Sequence, residues 1–134
     1  DKYLYLVQQF IEGQTLFQEL HRQGTFNEPK IRQVLSDILP VLKFIHARQV
    51  IHRDITPANI IRRQIDGKLL LIDFGIAKQM TQTSQGQPGT KIGTEGYAPI
   101  EQLRSGQAYP ASDLYSLGAT CIHLLTGVKP EELY

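Results

Sequence analysis

A His-Arg-Asp triplet at residues 52–54, an Asn at residue 59 and an Asp-Phe-Gly turn at residues 73–75 constrain this chain more than anything else in it. Between the Asn and the second Asp, Asp66-Gly67 is a tight-turn signal flanked by two apolar runs, residues 61–65 and 69–72. That pattern predicts a small hairpin. A hairpin returns the chain to the place it left, so Asp73 is expected beside Asn59. Val50-Ile51 and Ile60-Ile61 are short apolar runs on either side of the loop that carries Asp54. Asp-Phe-Gly alone would arise by chance in roughly one chain in sixty of this length, and His-Arg-Asp-x4-Asn in about one in a thousand. Both occur here, in order, with a hairpin between them.

The remainder reads as mostly helical. Residues 3–11 are aromatic and branched, a strand that Gly13 is expected to end. Leu16, Phe17 and Leu20 follow at helical spacing, with Gly24 as the stop. Asn27 can cap a second helix that has Pro29 in its first turn. Its apolar stripe is Ile31, Val34, Leu35, Ile38, Leu42 and Ile45, and Pro40 inside it predicts a bend with the Ser36 carbonyl unpaired. Residues 79–94 are rich in Gln, Thr and Gly and read as a loop. Residues 112–126 are apolar on nearly every side, which predicts a helix buried in the middle of the fold and closed by Gly127.

At 134 residues the chain can hold one domain with a core, and no internal repeat or linker divides it. Fourteen Lys and Arg against 13 acidic residues give no pull toward nucleic acid or membrane, and no apolar run is long enough to cross a bilayer. Arg62, Arg63 and Lys68 read as a solvated surface group. Cys121 is alone in an apolar stretch, so an inert buried thiol is expected. Asp54, Asn59 and Asp73 are the residues with chemistry. Phosphoryl transfer asks for a carboxylate near the attacking hydroxyl and oxygen ligands for a hard cation, and a loop plus a hairpin supplies both.

On these motifs the chain resembles the protein kinase superfamily along its whole length, most closely the bacterial, cyanobacterial-type serine/threonine kinases. The resemblance implies a protein-kinase-like large lobe (mainly α with short β-hairpins, α+β) together with the hinge strand of the small lobe, incomplete at both ends. Residues 1–13 would be the last small-lobe strand and hinge, and 14–134 the first part of the large lobe. It also assigns roles. Asp54 would orient the substrate hydroxyl and accept its proton, and Asn59 and Asp73 would hold Mg2+. Gln8 would be the gatekeeper, the backbone of Gln9 and Ile11 would meet the adenine of ATP, and Ile61 would line the pocket floor. Residues 93–101 resemble the end of an activation segment in which Ile100 is inserted into the usual Ala-Pro-Glu. Thr94 there is the residue type expected when Ser or Thr is phosphorylated. Glu101, His52, Phe74 and Gly75 would be structural, and Asp113 would anchor the backbone of the catalytic loop. Arg53 implies control by a phosphate on Thr81, Thr83, Ser84 or Thr90.

One residue departs from the pattern: Thr56 stands where serine/threonine kinases carry a Lys that neutralises the transferring phosphate. Three functions are therefore weighed. The first is a serine/threonine protein kinase, acting in the cytoplasm on protein substrates. The second is a pseudokinase or signalling scaffold, for which Thr56 is the only support. The third is a small-molecule phosphotransferase, which would lack the Asp-Phe-Gly turn and the 93–101 segment. No Gly-rich loop and no strand Lys occur in residues 1–134, and the later large-lobe helices are expected as partners from the same chain. Residues 1–134 alone are accordingly expected neither to bind ATP tightly nor to transfer phosphate, and clear turnover by the purified piece would overturn that.

Overall fold

The computed structural model describes residues 9–73, 78–79 and 93–133. Residues 3–8 of the strand expected over 3–11, with Gln8, lie outside them, and residues 9–11 form no strand. Phe74, Gly75 and the four candidate phosphosites also lie outside the described residues.

Strand β1 (Gly13–Thr15) leads directly into helix α1 (Leu16–Gln23). Gly13 was expected to end a strand; instead it begins one, because it pairs with Arg63 across an antiparallel ladder. A Cβ at Gly13 would lie 2.1 Å from the Arg62 carbonyl oxygen, an approach only glycine permits. Thr15 caps α1 by accepting from the Gln18 amide at 3.1 Å, and Gln18 Oε1 accepts from the Thr15 amide at 3.0 Å. Gly24, at φ 85, stops the helix. Leu16 and Leu20 are buried, but Phe17 is exposed and packs against His21 with the rings tilted and their centroids 4.4 Å apart. Glu19 takes the inward position that Phe17 was expected to share.

Helix α2 (Glu28–Ala47) starts where Asn27 Oδ1 accepts from the Lys30 amide at 3.1 Å. It runs through Pro40 without a break. Pro40 and Ser36 both lie on the exposed side, where water can reach the carbonyl that the proline leaves without its amide. Its inward residues Val34, Ile38, Leu42 and Ile45 join Leu16, Phe26, Ile55, Ile60, Leu69, Leu117 and Leu124 in one apolar core. Each such side chain stabilises the fold by about 1.5–3 kcal/mol when fully buried.

After β2 (Val50–Ile51) and the loop that follows, β3 (Ile60–Arg63) and β4 (Leu69–Leu71) form the expected hairpin. With β1 they make an antiparallel sheet in the order β1-β3-β4. A second ladder joins β2 to β5 (Lys78–Gln79). Helix α3 (Ile100–Ser105) ends at Gly106, and α4 (Pro110–Thr126) ends at Gly127, both glycines being left-handed.

Helix α4 overturns the expectation of burial on every side. Leu114, Tyr115, Ile122 and Leu125 are each more than two-fifths exposed, while Ser112, Asp113, Ser116, Thr120 and His123 are buried. The inward face is therefore half polar, and those polar side chains tie down loops rather than fill space.

Arg62 is not a solvated surface charge either. Its Nε and NH2 meet the buried Glu19 carboxylate at 2.6 and 3.3 Å, and Lys30 Nζ meets the same group at 3.1 Å. Arg62 NH1 also donates to Gln33 Oε1 at 2.8 Å, so α1, α2 and the hairpin share one polar junction. Burial alone would raise the Glu19 carboxyl, but the Arg62 and Lys30 bonds outweigh it and hold it below the ordinary 4.5. A carboxyl whose folded value is depressed contributes stability that is full above the unfolded value and is lost as pH falls through the folded one. Glu19→Ala is expected to cost roughly 1–3 kcal/mol at neutral pH, since both cations it leaves can still reach water. The difference from the parent should shrink as pH drops below 4.5. Urea denaturation across that range measures both.

Candidate active site

Asp113, fully buried in the first turn of α4, organises the loop after β2. Its Oδ2 accepts from the His52 amide at 2.9 Å and its Oδ1 from the Arg53 amide at 3.0 Å. His46, at the end of α2, meets Oδ2 with its Nε2 at 2.8 Å. Thr120, two turns further along α4, donates its hydroxyl to the Ile55 carbonyl at 3.3 Å. The loop is thus strung across the polar face of one helix.

Within the loop, Pro57–Asn59 form a 3-10 turn in which the Asn59 amide bonds the Thr56 carbonyl at 3.0 Å. The turn brings the Asn59 side chain back toward Asp54. Its Nδ2 donates to the Asp54 carbonyl at 2.7 Å and to Asp54 Oδ2 at 3.1 Å. With the amide nitrogen so engaged, Asn59 Oδ1 is the atom left with ligand capacity. Asp54 Oδ1 accepts the Thr94 hydroxyl at 2.7 Å, so the carboxylate is held from both sides.

The hairpin delivers Asp73 as its spacing predicts. The amide of Ile72 donates to the Asn59 carbonyl at 2.9 Å, which fixes the next residue beside the loop. Asp73 is exposed and adopts φ 62, a left-handed backbone that costs a side-chain-bearing residue about 1–3 kcal/mol. His52 joins the two segments. The Asp54 amide donates to its Nδ1 at 3.1 Å, so the ring proton resides on Nε2, 2.8 Å from the Ile72 carbonyl that accepts it.

Among the described residues no three His, Cys, Asp or Glu gather around one point. The Asn59–Asp73 pair suits a cation that retains waters and takes further oxygens from phosphate, the habit of Mg2+. Thr56 is buried, and its side chain caps nothing.

Arg53 is 3% exposed, with NH1 on the Gly106 carbonyl at 3.0 Å and Nε without a partner among the described residues. Burial pushes its guanidinium below its ordinary value, partly opposed by the Asp113 charge. Glu101 receives the Ser112 hydroxyl at 3.4 Å. Gln9 and Ile11 line a groove of about 520 Å³ with Phe10, Glu12, Arg63 and Ile65; Ile61 is half-buried in β3 and is not among its lining residues. Tyr97 is pinned to α4 through a 2.5 Å contact between its hydroxyl and His123 Nδ1. Burial, together with the Glu131 charge, pushes the Tyr97 phenol to about 12, so it keeps its proton at neutral pH. Cys121 is buried and its thiol is pushed up to about 11, which makes it inert.

His46 and Gln102 did not stand out in the sequence. A polar residue at the end of an apolar stripe, and a Gln following the Glu of a motif, are the only signals they leave.

A carboxylate held at two points, an Asn and an Asp on the loop and hairpin beside it, and a buried Asp behind the loop make up one polar site on a mainly helical lobe. The chain belongs to the protein kinase domain family, which matches residues 1–132. Within it, the similarity is to bacterial serine/threonine kinases. Serine/threonine-protein kinase B of Synechocystis is 46% identical over 99% of this chain, and serine/threonine-protein kinase F of the same organism 45% identical over its whole length. Serine/threonine-protein kinase PknA of Nostoc is 49% identical over 96%. The chain spans about a quarter of the length of these relatives, 24–27% of each.

Proposed function

We propose that the protein containing this chain transfers the γ-phosphate of ATP to Ser or Thr side chains of protein substrates, with Mg2+. The observation that carries the reading is the placing of the Asp54 carboxylate, bonded at one oxygen by Thr94 and at the other by Asn59. A carboxylate so fixed can receive the proton of an incoming hydroxyl without first reorienting. Asn59 Oδ1 and Asp73 would hold Mg2+, which when bound neutralises phosphate charge. The backbone of Gln9 and Ile11 would meet the adenine. Residues 1–13 would be the last small-lobe strand and hinge, and 14–134 the first part of the large lobe. The names of the relatives, serine/threonine-protein kinases, support serine/threonine specificity. No helix of the described residues is long and apolar enough to cross a membrane, and the domain is assigned to the cytoplasm because its reaction draws on ATP.

Among the described residues, the buried Arg53 guanidinium meets the Gly106 carbonyl through NH1 and its Nε meets no partner, which favours the arrival of an anion. A phosphate on Thr81, Thr83, Ser84 or Thr90 is the proposed source. Thr56 favours a second reading, a scaffold that binds without turnover, because it brings no positive charge to the loop. Incubating the intact gene product with radiolabelled ATP and Mg2+ separates the two. Label recovered as phosphoserine or phosphothreonine supports the kinase; ATP binding with no labelled protein supports the scaffold.

A further inference from the structure

Arg53, the residue before the proposed base, has φ 75. A left-handed conformation at a residue with a side chain persists only where its surroundings hold it from several directions. Asp113 holds the peptide on the N-terminal side of Arg53 through its amide. The peptide on the other side, between Arg53 and Asp54, is the one whose plane aims the Asp54 side chain. Its N–H donates to His52 Nδ1 at 3.1 Å. Its carbonyl accepts from Gln102 Nε2 at 2.6 Å. The plane is therefore pinned at both edges, on one edge by a side chain from α3.

Gln102 is well placed to act as that pin. It is fully buried, and its backbone is fixed at both ends, by the Pro99 carbonyl at 3.1 Å and the Gly106 amide at 3.0 Å. Gly93 closes the slot around the bond: a Cβ there would stand 2.4 Å from Gln102 Nε2 and 3.1 Å from the Arg53 carbonyl oxygen. Gly93 precedes Thr94, the residue whose hydroxyl meets Asp54. The backbone just before Thr94 thus passes close to the amide group that holds the peptide before Asp54.

We propose that Gln102 is a positioning residue: its side-chain amide sets the Arg53–Asp54 peptide plane and registers the Thr94 segment against it. As a statement about catalysis this rests on the kinase reading, so one arm of the test does not need turnover.

Gln102→Met keeps the length of the side chain and removes the donor. In the intact gene product, kcat is expected to fall about 10- to 100-fold, with KM for ATP within about two-fold and the melting temperature lowered only by the few degrees that one unpaired carbonyl brings. The Asp54 amide should exchange with deuterium about ten-fold faster, with α4 amides unchanged. A kcat within about three-fold of the parent, or a joint loss of kcat, KM and melting temperature, would overturn the proposal. An unchanged Asp54 amide would overturn it too, even in a protein that labels nothing. In the unmutated protein, the Gln102 side-chain amide protons should exchange at least about ten-fold more slowly than those of exposed Gln9, and equal rates would count against the bond whether or not the variant folds.

Discussion

Replacing Asp54 by Asn is expected to lower phosphate transfer by the intact gene product about 100- to 10,000-fold while leaving the fold in place. The amide oxygen can still accept the Thr94 hydroxyl, which now takes 2.7 Å to Oδ1. The new amide nitrogen faces Asn59 Nδ2, 3.1 Å from the oxygen it replaces, and that mismatch costs about 1 kcal/mol. What disappears is the capacity to take up a proton. Transfer of radiolabel to a protein substrate, with a denaturation curve on the same sample, measures both. Activity within about three-fold of the parent would remove Asp54 from the role of base.

Asp113→Ala is expected to produce the larger loss of stability. One carboxylate accepts the amides of His52 and Arg53 and the ring of His46, and it is fully buried. Removing it leaves two buried amides without acceptors, at about 1–3 kcal/mol each, so the total is roughly 2–6 kcal/mol. His46 adds little, because its side chain is 15% exposed and can turn to water. The strained backbone at Arg53 also loses one of its restraints. A shift of about 1 Å in the loop would lower turnover by a further factor of about 100. Asp113→Asn retains one acceptor oxygen and should lose about half as much stability. Guanidinium denaturation orders the three proteins, and equal stabilities would refute the anchoring role.

How far the sequence foretold this structure depends on the range of each interaction. The Asn27 cap, the α2 stripe and the hairpin around Asp66-Gly67 are local patterns, and each lies where its spacing put it. The loop at residues 52–59 was legible for the same reason, since its turn and its Asn–Asp bond are closed within five residues. Glu19 and Arg62 were not, because their bond spans 43 positions and neither residue has a local signature of burial. Arg62 therefore read as a surface charge. In α4 the apolar count suggested burial all round. A count cannot tell which face receives the loop, and the loop chose the face bearing Asp113 and Thr120. Gln102 was hidden by the same limit: its partner, Arg53, is 49 positions away.

The bond from Ile72 to the Asn59 carbonyl closes the hairpin on the catalytic side, with Ile60 opposite Leu71 and Ile61 opposite Leu70. Side chains alternate along each strand, so one residue gained or lost in either arm would exchange inside for outside and carry Asp73 to the wrong face. Gln64, Ile65 and Asp66 at the tip are exposed and stand outside that alternation. The two arms thus transmit parity: how many residues they hold between Asn59 and Asp73, the proposed ligands, matters more than which residues they are.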